Sequence, residues 1–506
     1  MKKNIHKHLI SRVLISLGTL LIFWMVSCDQ KQPHSNNALQ IPTSGSSHTQ
    51  QAMRSIDKIF LDDEIPDIRI NFDLSDTLDT YEGTETIYFK NGFDFDLKKA
   101  GFFLLPRITG GSLDIQQAWL DDNPVVFNIE NAVLQLTFNQ SIQPRQQFKI
   151  TLKFKGSIPK RLNPPGIFLS DKGTVCLGGF YPELIPFNKS GGFDPVYPAK
   201  YGDPILSPLA QYTVSFRAPK NMHFASSGKI EKGGIKKGRQ SFFAISGPVR
   251  DFFLAGSFHW KQMSFNKKGI LINSYYPEKN MYQGINAFYY SADALKIFEK
   301  SFGTYPYNEF DVISAPLDNY AVGMEYPGII VLNDKLYEPD GMFHGFSADY
   351  VLEITIAHEI AHQWFYGLIG SDPVREPWID ESITQYATWL YFKTNRGNGP
   401  ADLFYSSLES RWSRIRSRPL PISLSVNDYS RREYSAIVYG RGPLFFFELI
   451  RVFGQSAFDR YLHDYITTFK WKTVTTNDVR QLITKHFGKK GDDLFFRWIL
   501  KPEKDN

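Results

Sequence analysis

His358-Glu359-Ile360-Ala361-His362 places two imidazoles four residues apart, with a carboxylate directly after the first. In a helix, residues four apart lie one turn above each other, so both histidines can aim at a single cation. Glu359 then reaches the rim of that point, where a carboxylate can take a proton from water. Two imidazoles leave Zn²⁺ short, because a catalytic site takes three protein ligands and keeps one position open. Glu381, in Trp378-Ile379-Asp380-Glu381-Ser382, can supply the third. The stretch between, residues 363–380, fits a helix end, a loop through Gly370-Ser371-Asp372-Pro373 and the start of a second helix, which Pro377 suits. The histidine string alone also fits a surface helix with two solvated side chains; the carboxylate at this spacing favours the metal site.

The elements that must hold these residues are legible as patterns. The histidines are predicted on a helix from Ser347 to about Tyr366, with Ser347 as cap, Asp349 in the first turn and Gly367 as stop. Upstream, Phe288, Ala292, Leu295, Phe298 and Phe302 recur at helical spacing before Gly303, and strands follow at Phe310 to Ser314 and Ile329 to Leu332. Beyond Thr388 the pattern is mostly helical, with one helix from Pro443 to Gly454 and another capped by Thr476 or Asn477 and running to Gly488. Before Trp260 the period is two. Leu134, Leu136 and Phe138 alternate with polar residues, as do Phe148, Ile150, Leu152 and Phe154, and Tyr212, Val214 and Phe216. Asp121-Asp122-Asn123-Pro124 and Gly233-Gly234 are expected to punctuate these strands. No chemistry is expected in this half. The exception is the loop Gly178-Gly179-Phe180-Tyr181-Pro182-Glu183, placed to reach a neighbouring cleft, although the same residues suit an ordinary turn. The expected fold is α+β and multidomain. A β-sandwich or saddle at 55–259 precedes a thermolysin-like domain at 260–506, with an α/β lobe and a helical lobe and no C-terminal helical solenoid.

At 506 residues the chain is too long for one core and suggests two or three domains. Its formal charge of +5 includes Lys2, Lys3, Lys7 and Arg12. These precede an apolar run from Val13 to Val26, an export signal too short to span a membrane as a helix. Residues 1–27 are therefore expected to be removed, leaving a near-neutral chain that does not favour nucleic acid. Met25-Val26-Ser27-Cys28 resembles a bacterial lipobox, so Cys28 is expected to carry lipid; an uncleaved signal anchor is the alternative. Either way the chain is expected in the cell envelope, facing away from the cytoplasm. Residues 28–54, polar and rich in Ser, Gln and Asn, read as a flexible tether. Cys176 is the second of two cysteines. With Cys28 lipidated it has no partner and is expected as a small buried apolar residue.

Two more stretches fit peptide chemistry. Gly323-Met324-Glu325-Tyr326-Pro327-Gly328 lies between an apolar strand and the histidine helix. At a sheet edge it can pair with an extended peptide, and Glu325 can then face a free α-amine; a turn with a solvated Glu is the alternative. Tyr434 to Gly442 offers phenol hydroxyls able to donate to an oxyanion, although a packed Tyr is the default.

Together these residues resemble the aminopeptidase N-like gluzincin metallopeptidases, which include leukotriene hydrolase. The likeness spans about Ser55 to Trp498. It rests on the string from His358 to Phe365, on Glu381, on Gly323-Met324-Glu325 and on Tyr439-Gly440-Arg441-Gly442. The resemblance implies one Zn²⁺ per chain, held by His358, His362 and Glu381, with Glu359 as general base. It implies that Glu325, in an exopeptidase motif with Gly323 and Met324, recognises the substrate's amino terminus. Tyr439 inherits transition-state stabilisation and Tyr434 lines the pocket. Tyr326, Tyr366-Gly367, Asp380, Ser382 and Arg441 depart from the family pattern; they leave the metal ligands intact and bear on side-chain preference. Larger relatives add a solenoid over the site, so a more open cleft is expected here. The expected function is a zinc aminopeptidase acting on peptides with a free N-terminus, membrane-held through Cys28. A related zinc endopeptidase is one alternative. A catalytically silent peptide-binding lipoprotein is another, whose mark would be a lost ligand or base.

Overall fold

The computed structural model describes residues 65–317, 321–416 and 420–501. The expected signal, the tether and Cys28 lie outside these residues. Period-two patterning yields strands from Asp67 onward. In Gln147–Ser157, Phe148, Ile150, Leu152 and Phe154 are buried, while Lys153 and Lys155 are exposed. This strand belongs to an eight-stranded sheet. Its order is Lys229–Lys236, Arg239–Val249, Ala210–Pro219, Asp67–Leu74, Thr80–Lys90, Gln147–Ser157, Ser112–Leu120, Asn123–Pro124. Two four-stranded sheets share its core. The turn at Asp121 and Asp122 forms as expected, with φ of 48° and 66°. Gly233 and Gly234 do not break the chain. They sit inside an exposed edge strand, where the register shifts between Lys232 and Ile235. Glycines without side chains to pack tolerate such a bulge, and the reversal comes later, at Lys237 and Gly238.

Trp260 opens a five-stranded sheet ordered Trp260–Lys267, Ile270–Pro277, Glu309–Ala315, Ile329–Asn333, Gly323–Tyr326. Ile270–Pro277 runs parallel to Glu309–Ala315 and reaches it through the helix Met281–Phe302. Parallel neighbours need such a crossover. Gly323–Tyr326 pairs antiparallel with Ile329–Asn333 and forms the sheet's edge.

The site lies on two helices that pack on each other, Ala348–Ala361 (the histidine helix), which also packs on the strands Gly323–Tyr326 and Ile329–Asn333, and Trp378–Asn395 (the glutamate helix). Ser347 occupies the cap position, but its side chain makes no capping bond. The histidine helix also ends sooner than its pattern predicts. Phe365 (φ −103°, ψ 60°) and Tyr366 (φ 163°, ψ −64°) leave helical geometry. Their carbonyls turn to other donors: His362 Nδ1 for Phe365, at 3.0 Å, and Arg250 Nε for Tyr366, at 2.8 Å. Gly367 closes the turn by donating to the His362 carbonyl. Trp364 pins it, fully buried against Phe298, Phe302 and Tyr305. Truncating such an aromatic costs about 3–5 kcal/mol.

The C-terminal helix Thr476–Phe495 is capped by Thr475 rather than Thr476 or Asn477, in a reciprocal box with Asp478. It runs past Gly488, where the chain kinks, instead of stopping there. Cys176 is buried and free. No helix among the described residues is long and apolar enough to cross a membrane.

Candidate active site

His358 and His362 leave one face of the histidine helix with their Nε2 atoms 3.3 Å apart. Glu381, in the first turn of the glutamate helix, sets Oε2 3.2 Å from His358 Nε2 and 3.5 Å from His362 Nε2. A tetrahedral ion bonded at roughly 2.0–2.1 Å separates its ligands by about 3.3–3.4 Å. The three atoms therefore already stand at the spacing one Zn²⁺ requires. Glu381 Oε2 is buried without a well-formed hydrogen bond, so this acceptor is ready for a cation. The residues present fit the metal.

Neighbouring groups aim the ligands. The His362 Nδ1–H donates to the Phe365 carbonyl, leaving the Nε2 lone pair free. Thr384 Oγ1 lies 3.5 Å from the same Nδ1, and the Gln385 amide lies 3.4 Å from His358 Nδ1. Tyr439 donates to Glu381 Oε1, and Ser382 Oγ donates to the Val438 carbonyl at 2.8 Å, tying the glutamate helix to the Tyr439 segment. Thr384 and Gln385 follow Glu381 by three and four residues, on its helical face. That spacing was the available signal for them, and sequence reasoning left them unnamed.

Glu359 and Glu325 meet beside the ligands, and one oxygen of each lies within 4.8 Å of the other and of a His362 ring nitrogen. His362 Nδ1 is 3.6 Å from Glu325 Oε1. Gly323 permits this closeness, since a Cβ there would fall 2.5 Å from Thr355 Cγ2 and 2.6 Å from Glu359 Oε1. Burial pushes the Glu359 carboxyl up to about 8, with Glu381 and Asp203 adding to the rise and His362 opposing it. Burial likewise raises Glu325. For Glu381, burial acts upward but the two imidazoles outweigh it and hold the carboxylate well below its usual range. Burial alone would lower His362; Glu325, Glu381 and Glu359 together raise it well above the usual imidazole value. The cluster thus concentrates negative charge around one point, and a bound dication would lower the proton affinity of every group here.

The metal, base and substrate-binding residues singled out in the sequence, His358, Glu359, His362, Glu381, Gly323, Met324, Glu325, Tyr434 and Tyr439, come together here. Met324 and Tyr326 flank Glu325 in one cavity wall, and the Tyr434 ring lies 5.5 Å from that of Tyr439. Arg441 is turned away. It is buried over Trp412 and Trp498 and donates to the Leu420 carbonyl. From the β half, Asp203 also lines the cavity beside Glu325. Its half-buried carboxyl is raised by desolvation and then by Glu325 and Glu381, whose charges it feels. No motif surrounds Asp203, so nothing in its sequence neighbourhood marks it.

Residues 287–498 match the peptidase family M1 domain. The chain is 23% identical to rice Aminopeptidase M1-B over 301 residues, covering 57% of this chain and 34% of that one. It is 22% identical to Candida albicans Aminopeptidase 2 over 432 residues, covering 81% of this chain and 44% of that one. The chain thus spans less than half the length of these curated relatives. Among solved structures, the M1 zinc metallopeptidase of Deinococcus radiodurans superposes with a TM-score of 0.63 at 18% identity, covering 86% of this chain and 94% of that one. A mutant of that protein bound to a Tyr-Ser-Ala substrate gives 0.65 at 17% identity, covering 88% and 95%. These likenesses show a common α+β fold, an N-terminal β half followed by a catalytic and helical region. Residues 287–498 thus resemble the peptidase family M1 domain, and the histidine–glutamate cluster at metal spacing lies within them.

Proposed function

We propose that this chain is a zinc-dependent aminopeptidase that removes N-terminal residues from peptides. The observation that carries the proposal is the triangle of His358 Nε2, His362 Nε2 and Glu381 Oε2, with Glu359 beside it. His358, His362 and Glu381 would hold the ion. Bound there, Zn²⁺ supplies Lewis acidity, polarising a carbonyl and acidifying the attacking water. The Glu359 carboxylate accepts the water's proton and passes it to the leaving amine. The Tyr439 hydroxyl, now donating to Glu381, is placed to donate to the oxyanion that develops on the scissile carbonyl. Glu325, on the edge strand, binds the α-ammonium, while that edge takes the extended peptide main chain to main chain. Anchoring the amine there fixes the first peptide bond, and no later one, at the reacting position.

A peptide offered with a free or an acetylated amino terminus tests this directly by mass spectrometry. The free form should lose residues one at a time from that end and the acetylated form should stay intact. Internal cleavage of the acetylated peptide would replace the proposal with an endopeptidase. We also propose, from residues 1–28, that the mature chain is held in the cell envelope by lipid on Cys28. Cys28→Ala should move the protein from the membrane fraction to the soluble fraction, and unchanged fractionation would refute the anchor.

A further inference from the structure

Gln363 bonds the edge strand that carries Glu325 to the segment that carries His362. It follows His362 directly and is only 1% exposed. Its Nε2 donates to the Tyr326 carbonyl at 2.9 Å, and its Oε1 accepts from the Gly328 amide at 2.8 Å. A carbonyl only accepts and a backbone N–H only donates, so these partners fix which end of the side chain is which. Both belong to the tight turn through Pro327 and Gly328 that joins Gly323–Tyr326 to Ile329–Asn333. Glu325 is therefore one residue from a carbonyl held by Gln363, and Gln363 is one residue from a metal ligand.

The strand has need of such a tie. It is four residues long and, among the described residues, pairs with a neighbouring strand on one side alone. Asn333 holds the approach to it, donating from Nδ2 to the Ala321 carbonyl at 2.8 Å and from its amide to the Val322 carbonyl at 3.0 Å. Gln363 holds the far end. An extended peptide advances about 3.3 Å per residue. The distance from the carboxylate that takes the α-ammonium to the metal ligands thus decides which peptide bond reaches the ion. A misplacement of about 1 Å costs roughly 10²-fold in rate. We propose that Gln363 is a positioning residue that sets this distance and so restricts cleavage to the first peptide bond. The proposal rests on the aminopeptidase reading. In this role Gln363 touches neither substrate nor metal and acts through Glu325.

Two inhibitors with the same metal-binding group test this, leucine hydroxamate and its analogue lacking the α-amine. Their Ki values are measured on the zinc-loaded wild type, Gln363→Met, Glu325→Ala and the double variant. Methionine resembles glutamine in length and makes neither bond. The wild type should bind the amine-bearing form at least about tenfold more tightly, through a charge-assisted contact with Glu325. Gln363→Met should shrink that preference severalfold, while zinc stays stoichiometric and the Ki of the amine-free form hardly moves. In the Glu325→Ala background, Gln363→Met should alter the preference no further, because both losses act on one contact. An undiminished preference in Gln363→Met, including equal weakening of both inhibitors, overturns the positioning role and leaves the aminopeptidase reading standing. No preference in the wild type refutes the amine anchor and that reading with it. If Gln363→Met fails to fold, Gln363→Asn decides by the same comparison, because its shorter stem cannot span both partners.

Discussion

Glu325 and Tyr439 touch the same small space but are assigned to different stages of the reaction, so their losses should separate kinetically. Tyr439→Phe removes a donor needed only when charge develops on the scissile oxygen. It should lower kcat by about 10²-fold or more with little change in KM. Zinc content should hold, since all three ligand atoms remain. A rise in KM with kcat preserved would instead make Tyr439 a binding residue. Glu325→Ala removes the acceptor for the α-ammonium, and kcat/KM on free peptides should fall at least about tenfold. At this scale the sequence was most informative. His358, Glu359, His362 and Glu381 are bound by helical spacing, and Glu325 and Tyr439 by short motifs. Asp203 was illegible, because it reaches the site from a β-half segment through tertiary packing alone.

Among elements, the contact between the edge strand and the histidine helix is the tightest constraint on the base. Gly323→Ala would drive a methyl into Thr355 and Glu359. Overpacking of this kind costs about 1–3 kcal/mol. The flexible end of Glu359 is the part that can yield, so activity should fall about tenfold or more while bound zinc, assayed by mass, stays stoichiometric. Full activity in Gly323→Ala would show that Glu359 need not hold that position. The main helices and strands could be read from periodicity; their ends could not. The helical path ends where Phe365 and Tyr366 leave helical geometry, their carbonyls accepting from His362 and Arg250 instead. Only the second of those partners is distant in sequence, yet neither announces itself in a local pattern. Gly233 and Gly234 misled for the converse reason, since a bulge and a turn use the same residue type.

Across the whole molecule, burial holds several carboxyls away from their ordinary behaviour. Asp251 is pushed up to about 7, and burial with the adjacent Glu183 raises Glu85 well above the carboxyl range. Glu85 lies on a central strand of the eight-stranded sheet, far in sequence from the metal ligands, with neither oxygen hydrogen-bonded. Below about pH 4 both folded and unfolded chains keep these protons. As pH rises, the unfolded chain releases them first, so each such group lowers folding stability by about 1.4 kcal/mol per pH unit until its folded pKa is reached. Metal-free protein should therefore melt lower at pH 7 than at pH 5, and Glu85→Gln should make that decline shallower. Equal declines in the two proteins would mean that Glu85 ionises normally in the fold. The chain-wide claim, that two helices and a sheet edge assemble a metal peptidase, is tested most directly in Glu359→Gln. With zinc measured on the same sample, the variant should retain stoichiometric metal and lose at least about 10³-fold in kcat on unblocked aminoacyl amides. Activity near that of the wild type, with zinc in place, would contradict the account.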